Sequence, residues 1–190
     1  MNFKTHCLAL MILLSMIGCR SSTVTETKRS GIEQLILSTA VDRSLGQLNT
    51  IHLSGKKVYL EVKNLETLDR GYVIGKATQE LGKNNALIVD DRKSADLILE
   101  IYSGALSTNS SKFMLGLPEI PIPFGRDVVL PEIPLIKKIG LDGVSKLSIN
   151  AIDAEGKQIF SYPSVYGEAY FDNWVVLILS FHFTDIPEME

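Results

Sequence analysis

The sequence predicts an α+β fold, a mostly antiparallel sheet with two helices on one face and a long proline-rich arm. Three observations carry this expectation. Ile32, Leu35, Ile36, Val41, Leu45 and Leu48 recur at helical spacing, whereas 57–63 and 146–153 alternate apolar with polar residues as half-buried strands do. Ala154-Glu155-Gly156-Lys157 then supplies a hairpin turn, with glycine at the position that demands a positive φ.

In chain order, Ser30-Gly31-Ile32-Glu33 forms a capping box that opens the first helix, which runs to about Leu48. Lys57 to Lys63 reads as a strand with Val58, Leu60 and Val62 inward. A second helix is expected from Asp69 to Leu81, stopped by Gly82. Ala86 to Val89 reads as a short buried strand, and Ala95 to Ser103 as a longer one with Leu97, Leu99 and Ile101 on one face. Ser107 to Ser111 reads as a polar loop. Lys146 to Asp153 and a strand starting at Gln158 form the hairpin. Trp174 to Phe183 reads as a buried final strand completing the sheet, with an interfacial aromatic patch as the alternative. That alternative stands because eight of the fourteen aromatic residues lie from Phe160 onward.

The arm, 112–143, contains one phrase twice: Leu117-Pro118-Glu119-Ile120-Pro121 returns as Leu130-Pro131-Glu132-Ile133-Pro134. Five of the seven prolines fall between Pro118 and Pro134, which predicts an extended, polyproline-like path and forbids a continuous helix. Run straight, it would span about 55 Å, more than the domain it belongs to, so it must double back at Phe124-Gly125-Arg126-Asp127. Its apolar side chains either pack on their own domain or meet a partner. The contact candidates are Leu117, Ile120, Phe124, Leu130 and Ile133, together with Trp174.

The amino terminus reports location. Lys4 and the apolar run Leu8 to Leu14 form a secretion signal too short to span a bilayer, closing on Met16-Ile17-Gly18-Cys19. That tetrad resembles the lipobox of bacterial lipoproteins, in which the cysteine is acylated and becomes the new amino terminus. The alternatives are an ordinary signal with an incidental cysteine and an uncleaved anchor. The expected organisation is a signal over 1–18, a polar tether over 19–29 and one domain over 30–190. Arg20 after the cysteine, where aspartate retains lipoproteins in the inner membrane, favours the outer membrane. The expected location is therefore the bacterial cell envelope, probing the periplasm from a lipid anchor at Cys19.

Cysteine usage agrees. Cys7 leaves with the signal, so no disulfide framework and no zinc site of cysteines is available. The mature chain carries 18 basic and 22 acidic residues, net −4, which gives no footprint for nucleic acid. Of the histidines that remain, His52 has no nucleophile or metal partner at a recognisable spacing, and His182 reads as part of an aromatic cluster with Phe181 and Phe183. Asp90-Asp91 with Asp96 lacks the spacing of a calcium loop and reads as a turn with Asp91 capping a helix. No catalytic residue, cofactor or metal is expected.

Three stretches, "TVTETKRSGIEQLILSTAVDRSLGQL", "GYVIGKATQELGKNNALIVDDRKSADLILEIYSGAL" and "YFDNWVVLILSFHFTDIP", resemble a family of uncharacterised bacterial lipoproteins classed only as a domain of unknown function. The resemblance implies a shared fold and export route and brings no activity. Two functions are therefore carried forward. One is a non-enzymatic, lipid-anchored envelope component that acts by binding a protein partner or its own copy. The other is a small-ligand-binding or transporter-accessory lipoprotein.

Overall fold

Two very long strands organise the molecule. In the computed structural model, which describes residues 29–65, 67, 69–121 and 129–187, β3 (Leu97–Leu117) pairs antiparallel with β6 (Ile133–Ile152) along nearly their whole length. The chain divides into Met1–Ser30 and Gly31–Glu190, and every described helix and strand lies in the second unit. Helix α1 (Gly31–Leu45) leads through a 3₁₀ turn at Ile51–Leu53 into β1 (Lys57–Glu61). Helix α2 (Arg70–Lys83) follows, then β2 (Leu87–Ile88) and a second 3₁₀ turn at Arg92–Ser94 before β3. After β6 come β7 (Gln158–Ser161), β8 (Val165–Val176) and β9 (Leu179–Thr184).

The main sheet has the order β2-β1-β3-β6-β8-β9, with β7 also pairing β6. It is mixed, not mostly antiparallel throughout: β1 lies parallel to both β2 and β3. The reason is the α2 crossover, which returns the chain to the end of the sheet from which β1 set out. From β3 onward every pairing is antiparallel, with β7 and β8 both pairing β6. Gly156 takes φ +87 in the β6–β7 turn, the conformation for which glycine was expected there.

Both helices pack on the face that carries Leu97, Leu99 and Ile101 of β3 and Leu147, Ile149 and Ala151 of β6. Val41 and Leu45 of α1 and Val73, Ala77 and Leu81 of α2 complete this core. Alternation puts the three β3 residues on one side, as the sequence indicates. Helix α1 approaches the sheet closely because Gly143 and Gly167 lie beneath it: a Cβ on Gly167 would come within 2.7 Å of the Ser44 amide nitrogen, and one on Gly143 within 3.0 Å of the Ile36 carbonyl oxygen. Helix α2 continues past Gly82 to Lys83, since Gly82 has open space around it and its carbonyl still accepts from Asn85. β2 is an edge strand with Leu87 exposed, so it is short but not buried.

The largest departure from expectation lies in 107–136. Ser107 to Ser111 is strand, not loop, pairing Val144 to Gly140. Beyond it, residues expected to follow a polyproline-like path continue the same ladder to Leu117 and Ile133. After a gap, β4 (Ile120–Pro121) pairs with β5 (Val129–Leu130). The prolines punctuate this ladder instead of preventing it. Pro118 and Pro131 fall in the gap between the two ladders, and Pro134 sits opposite Gly116 at the register shift, a position in a sheet that tolerates proline. Gly116 takes φ +152 there, and a Cβ would lie 2.8 Å from the Leu135 nitrogen. The chain does double back, since Ile120 faces Leu130 in antiparallel register; the expected turn at 124–127 lies outside the described residues.

Candidate functional site: an exposed apolar sheet face

The distal half of the sheet, away from the core, is built from the ends of β3, β6, β8 and β9. Successive ranks run across it: Leu115, Ile136, Val176 and Leu179; then Phe113, Lys138, Trp174 and Phe181; then Ser111, Gly140, Asp172 and Phe183. Directly opposed residues share a face and alternate residues return to it, so these ranks make one surface on the side opposite α1. Gly143, whose Cβ would point at Ile36, belongs to the other side. Phe113, Leu115, Leu179, Phe181 and Phe183 are 42–66% exposed. Toward the tip the surface continues through Leu117 and Ile133, both exposed, the separate β4–β5 ladder beyond carries the exposed Ile120 and Leu130, and the β8–β9 turn adds Leu177 and Ile178, the latter 95% exposed. With about 150–200 Å² for each fully exposed large side chain, the apolar area is on the order of 1,000 Å². A monomer's largest such patch is typically about 300–600 Å².

Charges in this region are paired. Lys138 Nζ lies 2.8 Å from the Asp172 carboxylate and 5.6 Å from the centre of the Trp174 ring. Glu132 accepts from Lys137 and, at 3.1 Å, from Lys112; these bonds hold its carboxyl below the ordinary range. Lys112 and Lys137 stand in the ranks that face the helix side, so Glu132 is drawn away from the apolar surface.

The sequence candidates fall into place as follows. Leu117 faces Ile133 and Ile120 faces Leu130, so the repeated phrase forms two cross-strand apolar pairs. Trp174 joins the same face two ranks back and is half-buried under Lys138. Phe124 and Cys19 lie outside the described residues. Sequence reasoning missed Phe113 and Leu115 and treated Leu179, Phe181 and Phe183 as part of a buried strand. The signal was present as a two-residue period in Phe113-Leu115-Leu117 and Leu179-Phe181-Phe183.

Residues 13–181 match the family of unknown function DUF6655. The chain belongs to this family. No curated protein matches it. Among solved structures, the chain is similar to the solution NMR structure of uncharacterized lipoprotein B from Nitrosomonas europaea, with a TM-score of 0.33 and 14% identity over 65% of this chain. The match spans 62% of that structure's length.

Several polar groups of this DUF6655 member bond within the fold. His52 Nε2 lies 3.0 Å from the Tyr162 hydroxyl and its ring meets Phe160 edge-on at 4.7 Å. His182 does not join Phe181 and Phe183: strand alternation turns it to the helix side, where it stacks on Phe171 at 5.5 Å. Asp91 caps the second 3₁₀ turn, its Oδ1 accepting from the Lys93 amide at 3.0 Å, and Asp96 accepts from the Lys57 amide at 2.8 Å. Arg43 clamps the segment after β9, donating to the Asp185 carboxylate, to its carbonyl at 2.6 Å and to the Glu168 carbonyl at 2.6 Å. Burial pushes the Asp185 carboxyl up, but the Tyr170 amide and Arg43 outweigh it and hold it below the ordinary range.

Several recesses mark the described residues; one of about 600 Å³ lies against Asp42, Tyr72, Lys76 and Gln79, and one of about 340 Å³ against Asp142, Glu168, Tyr170 and Asp185. An open cleft of about 390 Å³ lies between the two helices, lined by Leu35, Ser38, Val41, Asp69 and Tyr72. Between α2 and the sheet there is only about 10 Å³, against Ala77, Leu81, Leu99 and Ile149. Among the described residues no helix is long and apolar enough to cross a membrane.

Proposed function

We propose that this chain is a lipid-anchored cell-envelope protein, held by an acylated Cys19 in the outer membrane and facing the periplasm, that acts by binding as a structural or assembly component and catalyses no reaction. The anchor rests on the apolar run Leu8 to Leu14 ending in Ile17-Gly18-Cys19 and on the polar tether after it. The binding role rests on one observation, the apolar distal face held in water at the end of a stiff sheet. A small-ligand role has less support: the space within the core is about that of a single water. The cleft between the helices is open and lies on the helix side of the sheet, opposite the apolar face.

Photo-cross-linking in intact cells tests the reading, with the cross-linker placed at Leu117 or Ile133 and, as control, at Glu155 in the β6–β7 turn. Adducts from the first two positions and none from the third are expected. Equal labelling at all three would reject the distal face as a binding surface. The anchor is tested separately: Cys19→Ser should abolish acyl labelling and release the chain from the membrane fraction.

A further inference from the structure

The distal face has the size, charge and shape of a surface that meets its own copy, an inference that rests on the binding role proposed above and names its occupant. Size comes first. The exposed parts of Phe113, Leu115, Leu179, Phe181 and Phe183, with the half-buried Trp174 and Val176 between them, amount to roughly 500–650 Å², and the exposed pair Leu117 and Ile133 brings the face to roughly 700–800 Å². A stable interface of standard size takes about 800 Å² from each partner. Charge comes second. In a two-fold contact the same face meets itself, so any net charge on it would repel its copy. Here the ionised side chains of the central ranks are Lys138 and Asp172, 2.8 Å apart, which cancel. A lipid surface fits less well, because the lysines that could hold anionic headgroups are engaged by Glu132 and Asp172.

Position is the third consideration. The helices cover the other side of the sheet, and β9 ends it at one edge, so nothing among the described residues overhangs this face. We propose that two copies pack these faces together across a two-fold axis, as two sheets about 10 Å apart, with Phe113, Trp174 and Phe181 as the central anchors.

The test uses the mature chain with Cys19→Ser, which carries no thiol, and sedimentation equilibrium over a range of concentrations. The parent should be a dimer. Leu115→Glu and Phe181→Glu should each raise its dissociation constant by at least about 100-fold, since each change enters a two-fold interface twice as an unpaired buried carboxylate. At concentrations low enough for the parent to be monomeric their melting temperatures should match the parent's, because both side chains are exposed in the single chain, whereas at higher concentration only the parent should gain stability from association. As a second readout, a Leu115→Cys chain treated in cells with a short bismaleimide should give a cross-linked homodimer. A monomeric parent whose Leu115→Cys form links to a different protein would overturn the self-pairing and leave the binding role standing. A monomeric parent that floats with phosphatidylethanolamine and phosphatidylglycerol vesicles would also overturn it, in favour of lipid. A monomer with no adduct of any kind would overturn both readings.

Discussion

Replacing Gly167 with alanine adds one methyl group where the structure has no room for it. The new Cβ would sit 2.7 Å from the Ser44 nitrogen and closer still to the Ala40 carbonyl, both backbone atoms of α1. Ordinary van der Waals separation begins at 3.4 Å, so the helix must retreat by about 1 Å. The retreat is costly because Ile36, Leu37, Ala40, Val41 and Leu45 on that helix are 0–1% exposed. Overpacking of this kind costs about 1–3 kcal/mol. The buried hydroxyl bond between Ser44 and Ser145, at 2.9 Å, would stretch or break and add about 1 kcal/mol. For a domain of this size the combined loss corresponds to a melting temperature lower by roughly 5–15 °C. Gly75→Ala is the control: it lies inside α2 with nothing within 4 Å, so relief of backbone entropy should raise the melting temperature by about 1–4 °C. Thermal unfolding of the soluble Cys19→Ser chain, followed by circular dichroism, measures both. A Gly167→Ala protein that melts within about 2 °C of the parent would show that the α1–sheet contact does not depend on that glycine.

Glu80 is buried, and although burial pushes its carboxyl up, Lys83 at 2.8 Å and Lys76 at 3.4 Å outweigh this and hold it below its ordinary 4.5. A depressed carboxyl stabilises the fold above the unfolded value and loses that contribution as pH falls through the folded one, so Glu80→Gln should flatten the decline in melting temperature below about pH 5. Burial raises Tyr162 to about 12, and burial together with Asp42 raises Tyr72 to about 12. Stability should therefore fall as pH rises from about 10 to 12, and absorbance at alkaline pH should show Tyr162→Phe losing part of the late tyrosinate transition. Replacing 118–131 with a two-residue turn should leave the melting temperature within about 2 °C, because the side chains removed from β4 and β5 are exposed and the core draws on other residues. A fall of more than about 5 °C in that variant would mean the arm packs on its own domain.

Where side chains have only one environment to satisfy, the sequence was legible. Leu97, Leu99 and Ile101 had to share a face, Gly156 had to turn a hairpin, and Asp91 had to accept an amide; the structure contains all three. Parallel pairing was not legible, because β2 is two residues long and its register is set by β1 and the α2 crossover rather than by its own pattern. The aromatic setting of His182 was legible but its partner was not: neighbours in sequence are opposite in a strand, so Phe181 and Phe183 share a face that His182 cannot reach, and it stacks on Phe171 instead.

The misreading of 107–136 shows why the candidate surface was only partly visible. Ser107-Thr108-Asn109-Ser110-Ser111 has weak strand preference and no apolar face, so nothing local marks it as strand. It is held by β6, whose other edge is held by β8, and strand identity there is imposed from across the sheet. A register dictated by neighbours also fixes which side of the distal sheet each residue occupies. Phe113, Leu115 and Leu117 reach the open face because the ladder carried unbroken through the serine run sets their phase. A one-residue slip in that run would turn all three to the helix side and bring Lys112 and Met114 to the open face. The polar segment therefore acts at a distance on the apolar surface, and an inserted residue between Asn109 and Ser110 should abolish the distal cross-link from Leu117 while leaving the core, which begins below the bulge at Ser103–Ala105, with its melting temperature largely intact. A retained cross-link at Leu117 in that insertion variant would mean that the open face does not depend on strand phase.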